Sequence, residues 1–130
     1  MATQEQLLLD TDVLIEYLRG SEQASEYLED QKGPLLISTI TVAELYAGAR
    51  DESERDGLDQ FILAFDLLPV TSEIAKLGGQ YRQKFKPSHN TGLADALIAA
   101  TAILHSATLV TFNAKHFPML HRQTIPYVRT

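Results

Sequence analysis

Hydrophobic positions along the chain fall into two alternating rhythms. Leu7-Leu8-Leu9 is a short unbroken apolar run of the kind that forms a buried strand. Val13, Leu14, Tyr17 and Leu18 then recur at helical spacing until Gly20 stops the helix. A polar, acidic segment leads to Gly33-Pro34. Beyond it the rhythm repeats, with Leu35-Leu36-Ile37 as a second strand and "TVAELYAGA" opening a second helix. Ser53 to Phe65 reads as helical, with Leu58, Ile62 and Phe65 on one side, and "DLLPV" as a short edge strand interrupted by Pro69. "SEIAKLGGQYRQKF" predicts a helix capped at Ser72. Gly78 and Gly79 would each cost about 1 kcal/mol inside it, so a kink or a close packing contact is expected there. Lys86 to Thr91 reads as a loop, "GLADALIAATAILH" as the most apolar helix, "ATLVTF" as a β-branched strand ending at Phe112, and "TIPYV" as a last short strand.

Strands alternating with helices predict a parallel sheet covered on both faces, a three-layer α/β/α arrangement. At 130 residues the chain fits one domain, residues 1–130, without internal repeat or linker. It has no cysteine, which excludes disulfides, thiolate metal sites and a cysteine nucleophile. The start "MATQEQ" does not resemble a signal peptide, and no stretch approaches the ~20 apolar residues needed to span a bilayer, so a cytoplasmic protein with no membrane role is expected. The net charge of −6 argues against a protein held on nucleic acid by its overall charge. Any such contact must be local or bridged by cations.

Ligands of open α/β sheets gather beyond the carboxyl ends of the strands. That edge would hold Asp10 at the exit of the first strand, Asp12 two residues on, Glu44 and Asp95 in the first turns of their helices, and Asn113 after "LVTF". Carboxylates crowded together cannot all stay ionised unless protons or a cation neutralise them. With oxygen donors only, the matching ion is Mg2+ or Mn2+, suited to phosphodiester hydrolysis. Each residue also has a structural reading. Asp12 is placed equally well as a helix N-cap, Thr41-Val-Ala-Glu44 as a capping box with Ile40 and Leu45 as its staple, and Asp95 as a carboxylate favouring the positive end of its helix.

Taken in series, "LLLDTDVLIEYLRG", "ISTITVAELYAGAR", "GLADALIAATAILHSATLVTFN" and "AKHF" resemble the PIN-domain ribonucleases, most closely the VapC-type toxins of toxin–antitoxin pairs. The resemblance implies a PIN-like fold and an acidic pocket that binds one or two Mg2+ or Mn2+ ions and cuts RNA with metal-activated water. It assigns the three acidic positions to Asp10, Glu44 and Asp95, and hydroxyl positions beside the pocket to Thr11 and Thr111. It further implies a VapB-like antitoxin as partner and a homodimer. The chain departs from the family pattern in two places: Asp12 stands where many relatives have Asn, and after the last strand relatives carry Asp or Asn at the place of the neutral Asn113 and often an acid where this chain has His116. Asp12 and Asn113 are therefore expected to assist. Two other readings stay open. One is a non-catalytic RNA- or protein-binding module of the same fold. The other, more distant, is a haloacid-dehalogenase-like phosphatase suggested by "DTDVL", which lacks that superfamily's Thr or Val at Leu14. "YRQKFK" (Tyr81 to Lys86) and Arg50 would suit an RNA or antitoxin contact, and equally a solvated surface.

Overall fold

The computed structural model describes residues 5–129. Five strands, β1 (Leu7–Leu9), β2 (Leu35–Ser38), β3 (Asp66–Leu68), β4 (Thr108–Val110) and β5 (Gln123–Thr124), form one parallel sheet in the order β3-β2-β1-β4-β5. The strand order reverses at β1. That places the start of the chain's first strand in the middle of the sheet, where connections leave in opposite directions and a crevice opens beyond the strand ends.

Because side chains alternate across a strand, each apolar run feeds both faces. Leu7, Leu9, Ile37 and Val110 enter a core closed by Val13 and Leu14 of α1 (Thr11–Leu18), Leu28 of α2 (Glu22–Glu29), Leu45 of α3 (Thr39–Ala47), and Leu58 and Ile62 of α4 (Glu52–Ile62). Leu8, Leu36 and Leu109 enter the opposite core with Ile98, Ala99 and Ala102 of α6 (Leu93–Leu104), and with Phe117 and Leu120 beyond β4. Helix α5 (Ser72–His89) packs on α6. The three-layer expectation is met. Among the described residues, no helix is long and apolar enough to cross a membrane.

Four local expectations need correction. The acidic segment after Gly20 is a helix, α2, capped by the Ser21 hydroxyl, which accepts from Ala24 N. Ala24 and Leu28, four residues apart, anchor it. Helix α5 is capped by Thr71, not Ser72, and runs unbroken through Lys86 and Pro87 to His89, ending at Asn90 in the left-handed conformation (φ 54°). Proline forfeits one backbone hydrogen bond there, in the last turn, where little helix remains to be broken. The last strand is Gln123–Thr124, ahead of the expected "TIPYV", because Leu109 N and Thr111 N bond Arg122 O and Thr124 O. Finally, α3 starts at Thr39 with Ser38 as cap, so Thr41 and Glu44 do not form a capping box.

Of the glycine pair, one serves a close packing contact. A Cβ at Gly78 would stand 2.6 Å from Leu97 Cδ2 and 3.2 Å from Leu97 Cα, whereas one at Gly79 meets nothing within 4 Å. Gly78→Ala should therefore cost about 1–2 kcal/mol by forcing α5 away from α6. Gly79→Ala should add up to about 1 kcal/mol of helix stability. Urea unfolding of the two variants would show opposite shifts.

Candidate active site

Asp10 follows β1 directly. Its backbone N–H continues the ladder to Val110 O (2.9 Å), so its position is fixed by the centre of the sheet. It is 5% exposed and caps α1: Oδ1 accepts from Thr11 N (2.8 Å) and Oδ2 from the Thr111 hydroxyl (2.8 Å). The N-cap expected at Asp12 is thus Asp10. Asp12 sits one turn edge further and braces the exit of β4, with Oδ2 accepting from Phe112 N (3.1 Å) and Asn113 Nδ2 (3.2 Å). Among the described residues, its other oxygen, Oδ1, is buried without a partner. Thr111 also accepts from Asn113 N (3.0 Å), so a single hydroxyl ties β4, Asn113 and Asp10 together.

Glu44 reaches the same edge by a second route. The Thr11 hydroxyl donates to Glu44 Oε1 (2.6 Å) and lies 3.0 Å from Thr41 Oγ1. A carboxylate can only accept, so Thr11 gives its one proton to Glu44, and Thr41 must donate to Thr11. Thr41 and Glu44 are three residues apart and share a face of α3. This is the contact that a capping-box reading obscured. The sequence paired Thr41 with Glu44 as a capping box; the same i, i+3 spacing instead lets both meet Thr11. Asp95 lies in the first turn of α6, with Oδ2 3.4 Å from His116 Nδ1. His116 belongs to a 3-10 turn, Ala114–His116, that follows Asn113.

The electrostatics join these groups. Burial, then Asp12, and more weakly Asp95, push the Asp10 carboxyl up to about 7, against the hydrogen bonds of Thr111 and Thr11. Burial also raises Asp12, opposed by Phe112 N, Val13 N, Arg129 and Thr111. Asp95 is raised by burial and by Glu44, with His116 opposing. A fold that drives its carboxyls toward protonation is one in which a cation would relieve the repulsion. An orphaned buried oxygen on Asp12 and an all-oxygen set of carboxylates match a hard divalent ion. Among the described residues, no three His, Asp or Glu side chains already stand at the spacing of a finished cage. The charge and donor chemistry fit such an ion, with Glu44 held at the same edge by Thr11.

Two other candidates take separate places, Arg50 in the cleft that Glu44 also lines and Tyr81 under α6. Arg50 is spent on Glu54, Nη2 to Oε2 at 3.1 Å, on an exposed surface. Tyr81 packs against the core beneath α6.

A family model described as "PIN domain" matches residues 7–119. The chain is 40% identical over 124 residues to Ribonuclease VapC10 of Mycobacterium tuberculosis, covering 93% of this chain and 92% of that protein. It is 38% identical over 125 residues to Ribonuclease VapC19 of the same organism, covering 92% and 98%. A solved toxin–antitoxin complex from Klebsiella pneumoniae superposes with a TM-score of 0.80 at 30% identity, covering 93% of this chain and 98% of that one.

Proposed function

The chain belongs to the PIN-domain family, and on that premise we propose that it is a VapC-type endoribonuclease, the toxin of a toxin–antitoxin pair, hydrolysing RNA with Mg2+ or Mn2+ at Asp10, Glu44 and Asp95. The observation that carries the reading is Asp10. It is a buried carboxyl locked at the end of the central strand and pushed up to about 7 by burial and its acidic neighbours, in a chain closely similar to named ribonucleases.

When bound, a divalent cation polarises a phosphoryl oxygen and lowers the pKa of an attacking water. The chain's own residues do the positioning. Thr111 and Thr11 N fix Asp10 in place before any ligand arrives, Thr11 aims Glu44, and Asp12 holds Asn113 and the β4 exit at the pocket wall. The neutral Asn113 adds an orienting amide without further charge.

RNA incubated with the purified chain should be cut in Mg2+ or Mn2+ and spared in chelator. Cutting that survives chelation would overturn the metal requirement, and intact RNA under every condition would overturn the nuclease reading. A pH dependence accompanies it. Asp10 is raised above its ordinary value of 3.8, so its contribution to the stability of the metal-free chain is full below about pH 4 and is lost as pH rises through about 7. Ion binding requires the deprotonated form. Mn2+ should therefore raise the melting temperature by several degrees at pH 8, where a hundredfold excess over Kd is worth about 2.7 kcal/mol, and leave it unchanged at pH 5. Scanning fluorimetry at the two pH values decides this.

The partner proposed is a VapB-like antitoxin. A cleft of about 640 Å³ between α1, α3 and α4, lined by Ile15, Leu18, Leu45, Leu58 and Arg19, opens beside Glu44 and would receive an apolar segment of it. A homodimer is proposed with it, to be read by sedimentation at micromolar concentration.

A further inference from the structure

Between α6 and the turn after β4, Asp95 and His116 face each other in a long contact. Their Oδ2–Nδ1 separation of 3.4 Å is longer than the ~2.7–2.9 Å of a charge-assisted hydrogen bond. A shift of about 0.4 Å would bring the two atoms to the ~3.0 Å that separates adjacent ligands on an octahedral ion with bonds of about 2.1 Å. The backbone is fixed at both residues. Asp95 is set by the first turn of α6. The His116 backbone is pinned at both ends, its N–H donating to Asn113 O (2.9 Å) and its carbonyl accepting from the buried Thr91 hydroxyl (2.9 Å), and the next residue, Phe117, is fully buried. Both side chains remain about 30% exposed, open to an ion from solvent.

We propose that His116 is a nitrogen ligand of the metal held by Asp95, and that it turns the site toward Mn2+ and away from Mg2+. This rests on the metal-dependent reading above. Magnesium takes oxygen donors almost alone, while imidazole favours first-row transition ions, so replacing one oxygen ligand by nitrogen shifts selectivity without adding charge. The substitution also suits this pocket: with Asp10, Asp12, Glu44 and Asp95 already present, a further carboxylate would add repulsion that a neutral imidazole does not.

The test is pulsed electron paramagnetic resonance of the Mn2+-loaded protein, with Mg2+ competition read in the same samples. The wild-type chain should show nitrogen-14 modulation from a directly bound imidazole. His116→Asp and His116→Asn should abolish it, and in His116→Asp the preference for Mn2+ over Mg2+ should fall by about tenfold. Circular dichroism melts establish that both variants fold. The other histidines do not confuse the signal. His121 lines a cleft at the opposite, amino-terminal end of β1 and β4, His105 follows the far end of α6, and His89 Nδ1 is engaged by the Ser88 hydroxyl. Bound Mn2+ without nitrogen modulation, or modulation unchanged in both variants, overturns the proposal and leaves the metal-dependent reading standing. Absence of any bound Mn2+ overturns both.

Discussion

Asp10→Asn should abolish RNA cleavage, by about a thousandfold or more, and at the same time make the metal-free protein melt higher. The two effects share one cause. The carboxylate that would hold the ion is also a buried charge the fold tolerates badly, raised from 3.8 to about 7 chiefly by desolvation and Asp12. Asparagine keeps an oxygen to cap α1, and Asn and Asp are equivalent caps. Its Nδ2 then faces the Thr111 hydroxyl, which accepts from it where it now donates to Asp10. What is lost is the charge. A shift of that size is worth on the order of a few kcal/mol above pH 7, so a rise of roughly 5–10 °C at pH 8 is expected. The gain should vanish at pH 4, where the native Asp10 is already protonated. Parallel melts at the two pH values with a fluorogenic RNA assay make the comparison. A variant that is inactive but no more stable at pH 8 would mean the native carboxyl is not under electrostatic stress.

Phe117→Ala should cost about 3–5 kcal/mol, a large share of the 5–15 kcal/mol that holds a domain of this kind together. Phe117 is the largest fully buried side chain, sunk into the core that Leu8, Leu109 and Ile98 build on the α6 face of the sheet. Its ring also anchors the 3-10 turn carrying Lys115 and His116, so the variant should lose Mn2+ affinity beyond what its lowered stability explains. Phe117→Leu, which refills most of the volume, should restore the greater part of both. Urea midpoints with calorimetric metal titration measure the two effects, and a cost below about 1 kcal/mol would place the ring outside the core.

Much of the architecture was legible because it rests on apolar runs that only one arrangement can bury. Leu7–Leu9, Leu35–Ile37 and "ATLV" had to be interior strands, and they are the three central ones. The elements that escaped are those held by few contacts. Helix α2 buries Ala24 and Leu28 and half-buries Tyr27, too sparse a stripe to stand out from its charges, although Ser21 was a legible cap. The continuation of α5 past Lys86 depends on Pro87 falling in a last turn, which no local rule fixes. The site was legible as a set of residue types at strand exits, and its division of labour was not. Whether Asp10 or Asp12 caps α1 turns on where the first helical turn closes, a matter of one backbone dihedral. The pairing of Thr11 with Glu44 and of His116 with Asp95 joins residues far apart in the chain, so neither left a signature in spacing.

The position of β1 at the middle of the sheet has a consequence for biosynthesis. Its neighbour β4, and with it the Thr111 hydroxyl that fixes Asp10, lies 101 residues downstream. A chain emerging from the ribosome at ~5–20 residues per second therefore releases Asp10 several seconds before the strand that arms it. Throughout that interval the nascent polypeptide is harmless, because the cutting edge comes into being only when the two ends of translation meet.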